Sequence, residues 1–125
     1  MKVKEIKVII RPLEEDLGEV VEAFKKVEGR EEFEEEKIVV ESLDVLRKIL
    51  TPERMRILQV IKNEKPNSIY ELAKLLGRDR AAVIRDLEVL QKIGLVKISE
   101  EKDEKGRKKP IVPYDEIVVK IPVVI

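Results

Sequence analysis

The chain has 125 residues, with no cysteine and no histidine; 43% are hydrophobic, 42% are charged, and the formal net charge is zero. Disulfides, thiolate nucleophiles, imidazole acid–base chemistry and the usual zinc ligands are thereby excluded, and enough apolar residue is left for a packed core. The zero total hides an asymmetry, because residues 1–41 carry 8 Lys/Arg against 13 Asp/Glu and residues 42–125 carry 18 against 13. An acidic segment facing away from phosphates and a basic one facing them is compatible with a nucleic-acid partner. No apolar run reaches the length of a membrane span, and Met1-Lys2-Val3-Lys4 leads into alternating charge, so a soluble cytoplasmic chain with no membrane partner is expected. Asn63, Asn67, Gln59 and Gln91 are the only side-chain amides, which together with the abundant Lys and Glu is the composition of thermophile proteins.

In chain order, Val3, Ile6, Val8 and Ile10 among charged neighbours predict an irregular strand over 2–11, ended by Pro12. Leu13, Leu17, Val20, Val21, Phe24 and Val27 recur at helical spacing, and Gly29 is a natural stop. The charged run from Arg30 to Lys37 reads as a loop, and Ile38-Val39-Val40 as a short strand. Ser42 can cap a short helix carrying Leu43, Leu46, Ile49 and Leu50. Thr51-Pro52 opens a helix to about Lys62 with Ile57, Leu58 and Ile61 inward, and Asn63 to Asn67 is a turn. Ser68 and Glu71 predict a capping box for a second helix whose inward face is Ile69, Leu72, Ala73 and Leu76. Gly77 ends it, Asp79 is expected to cap a third helix with core face Val83, Leu87 and Leu90, and Gly94 closes that one. Leu95 to Glu100 predicts a strand, Pro110 to Tyr114 its return, and the charged stretch from Glu101 to Lys109 a hairpin tip with Gly106 at positive φ. The tail from Ile117 to Ile125 is almost wholly apolar and is expected to be buried, on the first strand or in a dimer contact.

Helix, short helix, tight turn, longer helix and β-hairpin follow one another as in a winged helix-turn-helix. The fold class expected is α+β, with an N-terminal strand-helix extension and a C-terminal strand. The domains expected are 1–41, for dimerisation or interaction, and 42–125, for DNA binding. With Val83, Leu87 and Leu90 inward, the third helix must present Arg80, Ala81, Ile84 and Arg85 on its other side. Arg can grip a guanine edge through two bonds, and a small or apolar side chain can meet a thymine methyl, so these four are the candidate base contacts. Lys74, Arg78, Arg107, Lys108 and Lys109 are the candidate backbone contacts, two at the turn and three on a wing around 100–110. Each has a plainer reading: the arginines as a solvated face, Ile84 as core, and Arg107-Lys108-Lys109 as a polar hairpin tip beside Glu101, Asp103 and Glu104. No catalytic residue, metal ligand or cofactor site is expected, and no enzymatic activity.

The segments Glu71-Leu72-Ala73-Lys74-Leu75-Leu76-Gly77-Arg78-Asp79, Val83, Arg85-Asp86-Leu87, Leu90 and Gly94-Leu95-Val96 resemble the signature shared by MarR-type and ArsR-type regulators. Glu41-Ser42-Leu43, Leu50-Thr51-Pro52-Glu53-Arg54 and Val112-Pro113-Tyr114-Asp115-Glu116-Ile117 further resemble a small archaeal and bacterial group of MarR-like predicted regulators, over about residues 38–120. The chain departs from that group at Val40, where an aromatic is expected. The resemblance implies sequence-specific binding of double-stranded DNA as a homodimer, with recognition helix 79–93 in the major groove. It also implies a runner-up, an antitoxin that neutralises a toxin-like protein partner and represses its own gene. A third reading is a scaffold whose winged helix binds protein only.

Overall fold

The computed structural model describes residues 4–10, 37–102 and 106–123. The helix expected over 13–27 and all but the last residue of the loop expected over 30–37 lie outside the described residues; Lys37 itself begins a strand. Among those described, the elements in chain order are β1 (Glu5–Ile10), β2 (Lys37–Val40), α1 (Leu43–Ile49), α2 (Pro52–Glu64), α3 (Ile69–Leu76), α4 (Arg80–Ile93), β3 (Lys97–Lys102), β4 (Lys108–Ile111) and β5 (Glu116–Lys120). The class is α+β, as expected, and the run from α2 to β4 has the element order of a winged helix-turn-helix.

Two compact units divide the chain, Lys48–Asp115 and the segments on either side of it. The flanking unit holds a parallel three-stranded sheet in the order β2-β1-β5. Its registers put Val8 beside both Ile38 and Val119, Ile10 beside Val40, and Ile6 beside Ile117. Because side chains alternate along a strand, Ile6, Val8, Ile10 and Val40 share one face, and all four are buried. The division expected from the sequence, 1–41 against 42–125, is corrected here. β5 takes its partner from β1, so residues 116–120 belong with the N-terminal strands, and the boundary on the other side falls within α1. The tail expected to be buried does pair with the first strand, yet it remains open: Val119 is 38%, Ile121 54% and Val123 89% exposed.

The central unit packs α2, α3 and α4 together, with β4 against α2 and α3. Its core is Ile57, Leu58, Ile61, Leu72, Ala73, Leu76, Val83, Leu87, Leu90, Leu95 and Val96. Thr51 caps α2 by accepting from the Arg54 amide at 3.2 Å, and Pro52 stands at the start, where its missing N–H costs nothing. The helix runs two residues beyond the expected end and closes at Lys65, a non-glycine in the left-handed region at φ 50 whose N–H donates to the Ile61 carbonyl.

Ser68 caps α3, its hydroxyl accepting from the Glu71 amide at 3.0 Å. The reciprocal bond of the expected box is displaced by one residue: Glu71 Oε2 accepts from the Asn67 amide at 3.1 Å, not from that of Ser68. Since Ser68 is 4% exposed, no water can easily replace its hydroxyl. Ser68→Ala should therefore lower unfolding stability by about 1 kcal/mol, the usual worth of such a cap. An unchanged urea midpoint would show that the bond to Glu71 contributes nothing.

Both later helices end in the paired bonds of a Schellman motif. After α3, the Arg78 amide donates to the Ala73 carbonyl and the Gly77 amide to that of Lys74, each at 3.1 Å; after α4, Leu95 donates to Leu90 at 2.9 Å and Gly94 to Gln91 at 3.1 Å. Gly77 (φ 66) and Gly94 (φ 93) occupy the left-handed position that makes these turns possible. The hairpin then runs antiparallel, Lys97 facing Ile111 and Ile98 facing Pro110, with a register shift before Lys102 faces Lys108. The return strand begins at Lys108 and not at Pro110, so Lys108 and Lys109 lie on the strand and not at the tip. Lys62 Nζ fastens the far end of the hairpin to α2, 3.1 Å from Asp115 Oδ1 and 3.3 Å from the Val112 carbonyl.

Candidate nucleic-acid interface

The turn between α3 and α4 is three residues long, Gly77-Arg78-Asp79, and what holds it is a carboxylate on α4. Asp86 Oδ2 accepts from Arg78 Nη1 at 2.8 Å, and Asp86 Oδ1 accepts from Arg54 Nε at 3.1 Å. Arg54 in turn donates through Nη1 to the carbonyls of Lys48 (2.8 Å) and Ile49 (3.2 Å). Those are the last carbonyls of α1, which the helix itself leaves without partners. One acid thus ties the end of α1, the start of α2, the turn and the third helix into a single network. Partial burial pushes the Asp86 carboxyl upward, but the hydrogen bonds and charges of Arg78 and Arg54 outweigh it and hold the group below the usual aspartate value. Asp86 is therefore ionised at neutral pH, and its negative charge is matched by two guanidinium groups.

With that network set, α4 can face only one way. Val83, Leu87 and Leu90 are buried, while Arg80, Ala81 and Arg85 are exposed. Ile84 is half-buried, between the two alternatives that the sequence leaves open. Asp79 stands at the N-cap position as expected, but its side chain makes no capping bond, and the first turn of α4 holds no acidic residue. That correction has a simple cause: Asp79 is exposed, and its carboxylate stays in water instead of folding back on the helix.

At the turn, Lys74 is exposed and its Nζ lies 5.7 Å from the centre of the Tyr70 ring, within range of a cation–π contact. Tyr70, Lys74, Gly77, Arg78 and Arg80 border an open depression of about 380 Å³. Arg78, a candidate backbone contact, is half-buried, and the bond from its Nη1 to Asp86 gives it a part in the fold itself. On the hairpin, Arg107 and Lys108 are exposed and Lys109 is half-buried. Residues 103–105, which include the acidic residues of the tip Asp103 and Glu104, lie outside the described residues.

The structure thus brings Lys74, Arg78 and Arg80 together around one depression and sets Ala81 and Arg85 further along the same helix. Sequence reasoning missed Asp86, Arg54 and Tyr70 as parts of the site. Tyr70 stands four positions before Lys74, a spacing at which helical side chains meet, and so was open to discovery. Among the described residues, no cluster of Asp or Glu has the form of a metal site, and no helix is long and apolar enough to cross a membrane.

Comparison with known proteins gives a family match and structural likenesses to set beside this geometry. A family model described as HVO_A0114 matches residues 49–119, more than half of the chain. No curated protein matches. Among solved structures, the chain is similar to S. aureus MepR in a complex with DNA, at 16% identity and a TM-score of 0.46, over 77% of this chain and 69% of that one.

Proposed function

We propose that this chain, which belongs to the HVO_A0114 family, is a MarR-like transcription regulator that binds specific sites in double-stranded DNA as a homodimer. One observation carries the reading: α4 buries Val83, Leu87 and Leu90 and leaves Arg80, Ala81 and Arg85 exposed, with Arg80 in its first turn bordering the same depression as Lys74 of the preceding helix. A helix held in that way after a three-residue turn can be laid in a major groove with its first turns against base edges. Arg80 is then the principal base reader, Ala81 and Ile84 meet apolar base edges, and Arg85 is a second contact. Lys74, Arg78 and, on the wing, Arg107, Lys108 and Lys109 hold phosphates. The reading assigns no catalytic step and no cofactor to the chain, and it places the protein where its DNA is, in the cytoplasm.

Sequencing the duplexes that the purified chain selects from a random pool tests this directly. A recurrent motif is expected; no affinity for any duplex at low salt would overturn the reading in favour of a winged helix that binds protein only. Phosphate contacts predict a further result. Lys74→Ala and Arg107→Ala should weaken binding to all sequences about equally, and each should reduce the slope of log affinity against log salt by about one. An unchanged slope would put these side chains outside the interface.

A further inference from the structure

β5 is an edge strand among the described residues, with β1 on one side only. Its five residues read Glu116-Ile117-Val118-Val119-Lys120, an apolar centre with opposite charges at the two ends. The Glu116 amide donates inward to the Lys4 carbonyl at 3.2 Å. Successive residues of a strand turn their main-chain groups to opposite edges, so Ile117 and Val119 present theirs outward. An edge of this kind is a ready template for another strand.

We infer that β5 joins two copies of this chain edge to edge, antiparallel about a two-fold axis through Val118. This rests on the homodimer in the functional reading and gives that dimer an interface. The register follows from charge. With Val118 opposite its own copy, Glu116 faces Lys120 of the partner subunit, and Lys120 faces the partner's Glu116. Ile117 then lies opposite the partner's Val119, and these two exchange both main-chain bonds. The charged pairs fall at the non-hydrogen-bonded positions, where the Cα atoms approach to about 4.5 Å and side chains interact most. Ile117 and Val119 lie on the same face as the buried Ile6 and Val8, so the apolar face continues across the axis and covers Val119, now 38% exposed. A shift of one residue along either chain loses both charge pairs. The opposite edge, β2, carries a similar pattern from Lys37 to Glu41, but that strand ends at Val40 and the chain bends at Glu41, outside the ladder. Two copies of one edge close a dimer, whereas β2 on β5 would continue as an open chain of molecules.

The natural chain has no cysteine, so a single introduced one reports cleanly. The full-length wild type is expected to show twice the chain mass by light scattering at micromolar concentration. Val118→Cys should form an intermolecular disulfide on mild oxidation, since directly opposed residues bring their Cβ atoms within reach of one. Lys120→Glu should weaken the dimer about tenfold by placing like charges opposite each other, and adding Glu116→Lys should restore it to within about threefold. A dimer in which Val39→Cys cross-links and Val118→Cys does not would overturn the inference and leave the dimeric regulator standing. So would a dimer indifferent to both charge variants. A monomer would overturn both the interface and the dimer, and DNA selection by that monomer would then decide separately whether the chain is a regulator.

Discussion

Replacing Asp86 by alanine should cost the central unit about 2–4 kcal/mol, because the carboxylate is 15% exposed and two arginines lose their common partner. Arg54 and Arg78 are 20% and 25% exposed, so each can recover part of its hydration but not the geometry that ties the turn to α1 and α2. The effect has a pH signature. The folded-state pKa of Asp86 lies below its unfolded value, so its contribution is present above the unfolded value and is lost as pH falls through the folded one. Wild type should therefore lose stability below about pH 4, the ordinary aspartate range, and Asp86→Asn should lose less over the same interval. Urea midpoints at neutral pH and near pH 3 measure both. Equal midpoints for wild type and Asp86→Ala at neutral pH would mean that the network holds nothing together.

Arg80→Ala should lower affinity for the preferred DNA site by about 1–3 kcal/mol and relax the preference at one base pair in each half-site, expected to be a guanine. Arg80 opens α4 and is exposed, and the first turn is where recognition helices meet base edges. Arg85 lies five positions further on, offset by about 140° at 100° per residue, so the two cannot point into the groove together. Binding to unrelated duplexes should fall less, since those contacts are to phosphate. Competition against every single-base variant of the selected site, with wild type and mutant in parallel, gives the answer. A mutant that keeps the full preference profile would remove Arg80 as a reader and with it the orientation assigned to α4.

What the sequence discloses about this fold is local. Thr51, Ser68, Gly77 and Gly94 act within four or five residues of themselves, so their spacing is enough to place the three helices and the turn. The buried faces of α3 and α4 repeat at helical intervals and are equally plain. Asp86 is different, because one partner is eight residues away and the other thirty-two, and no periodicity joins an aspartate on one helix to an arginine on another. The pairing of β5 with β1 is legible only as one of two alternatives, the first strand or a dimer contact, and its register is hidden for the same reason: the whole central unit lies between the two strands. Asp79 shows the converse, a residue type suited to capping whose side chain does not cap, since propensity records what a residue can do and solvent competes for it. The exposure of Arg85 could be inferred from the buried residues opposite and that of Arg80 from its place in the first turn, whereas the restraint on Arg78 could not.

The order in which the chain is made favours one half of the molecule. Lys48–Asp115 is continuous, and all its helices and both hairpin strands exist before β5 is synthesised. The parallel sheet must wait, because β1 and β2 are made first and their third strand last. Joining β5 to β1 closes a loop that spans the whole central unit, since Ile6 pairs with Ile117, so the continuous unit has the smaller entropy of closure to overcome. In refolding, the helices of Lys48–Asp115 are therefore expected to gain protection before the parallel sheet does.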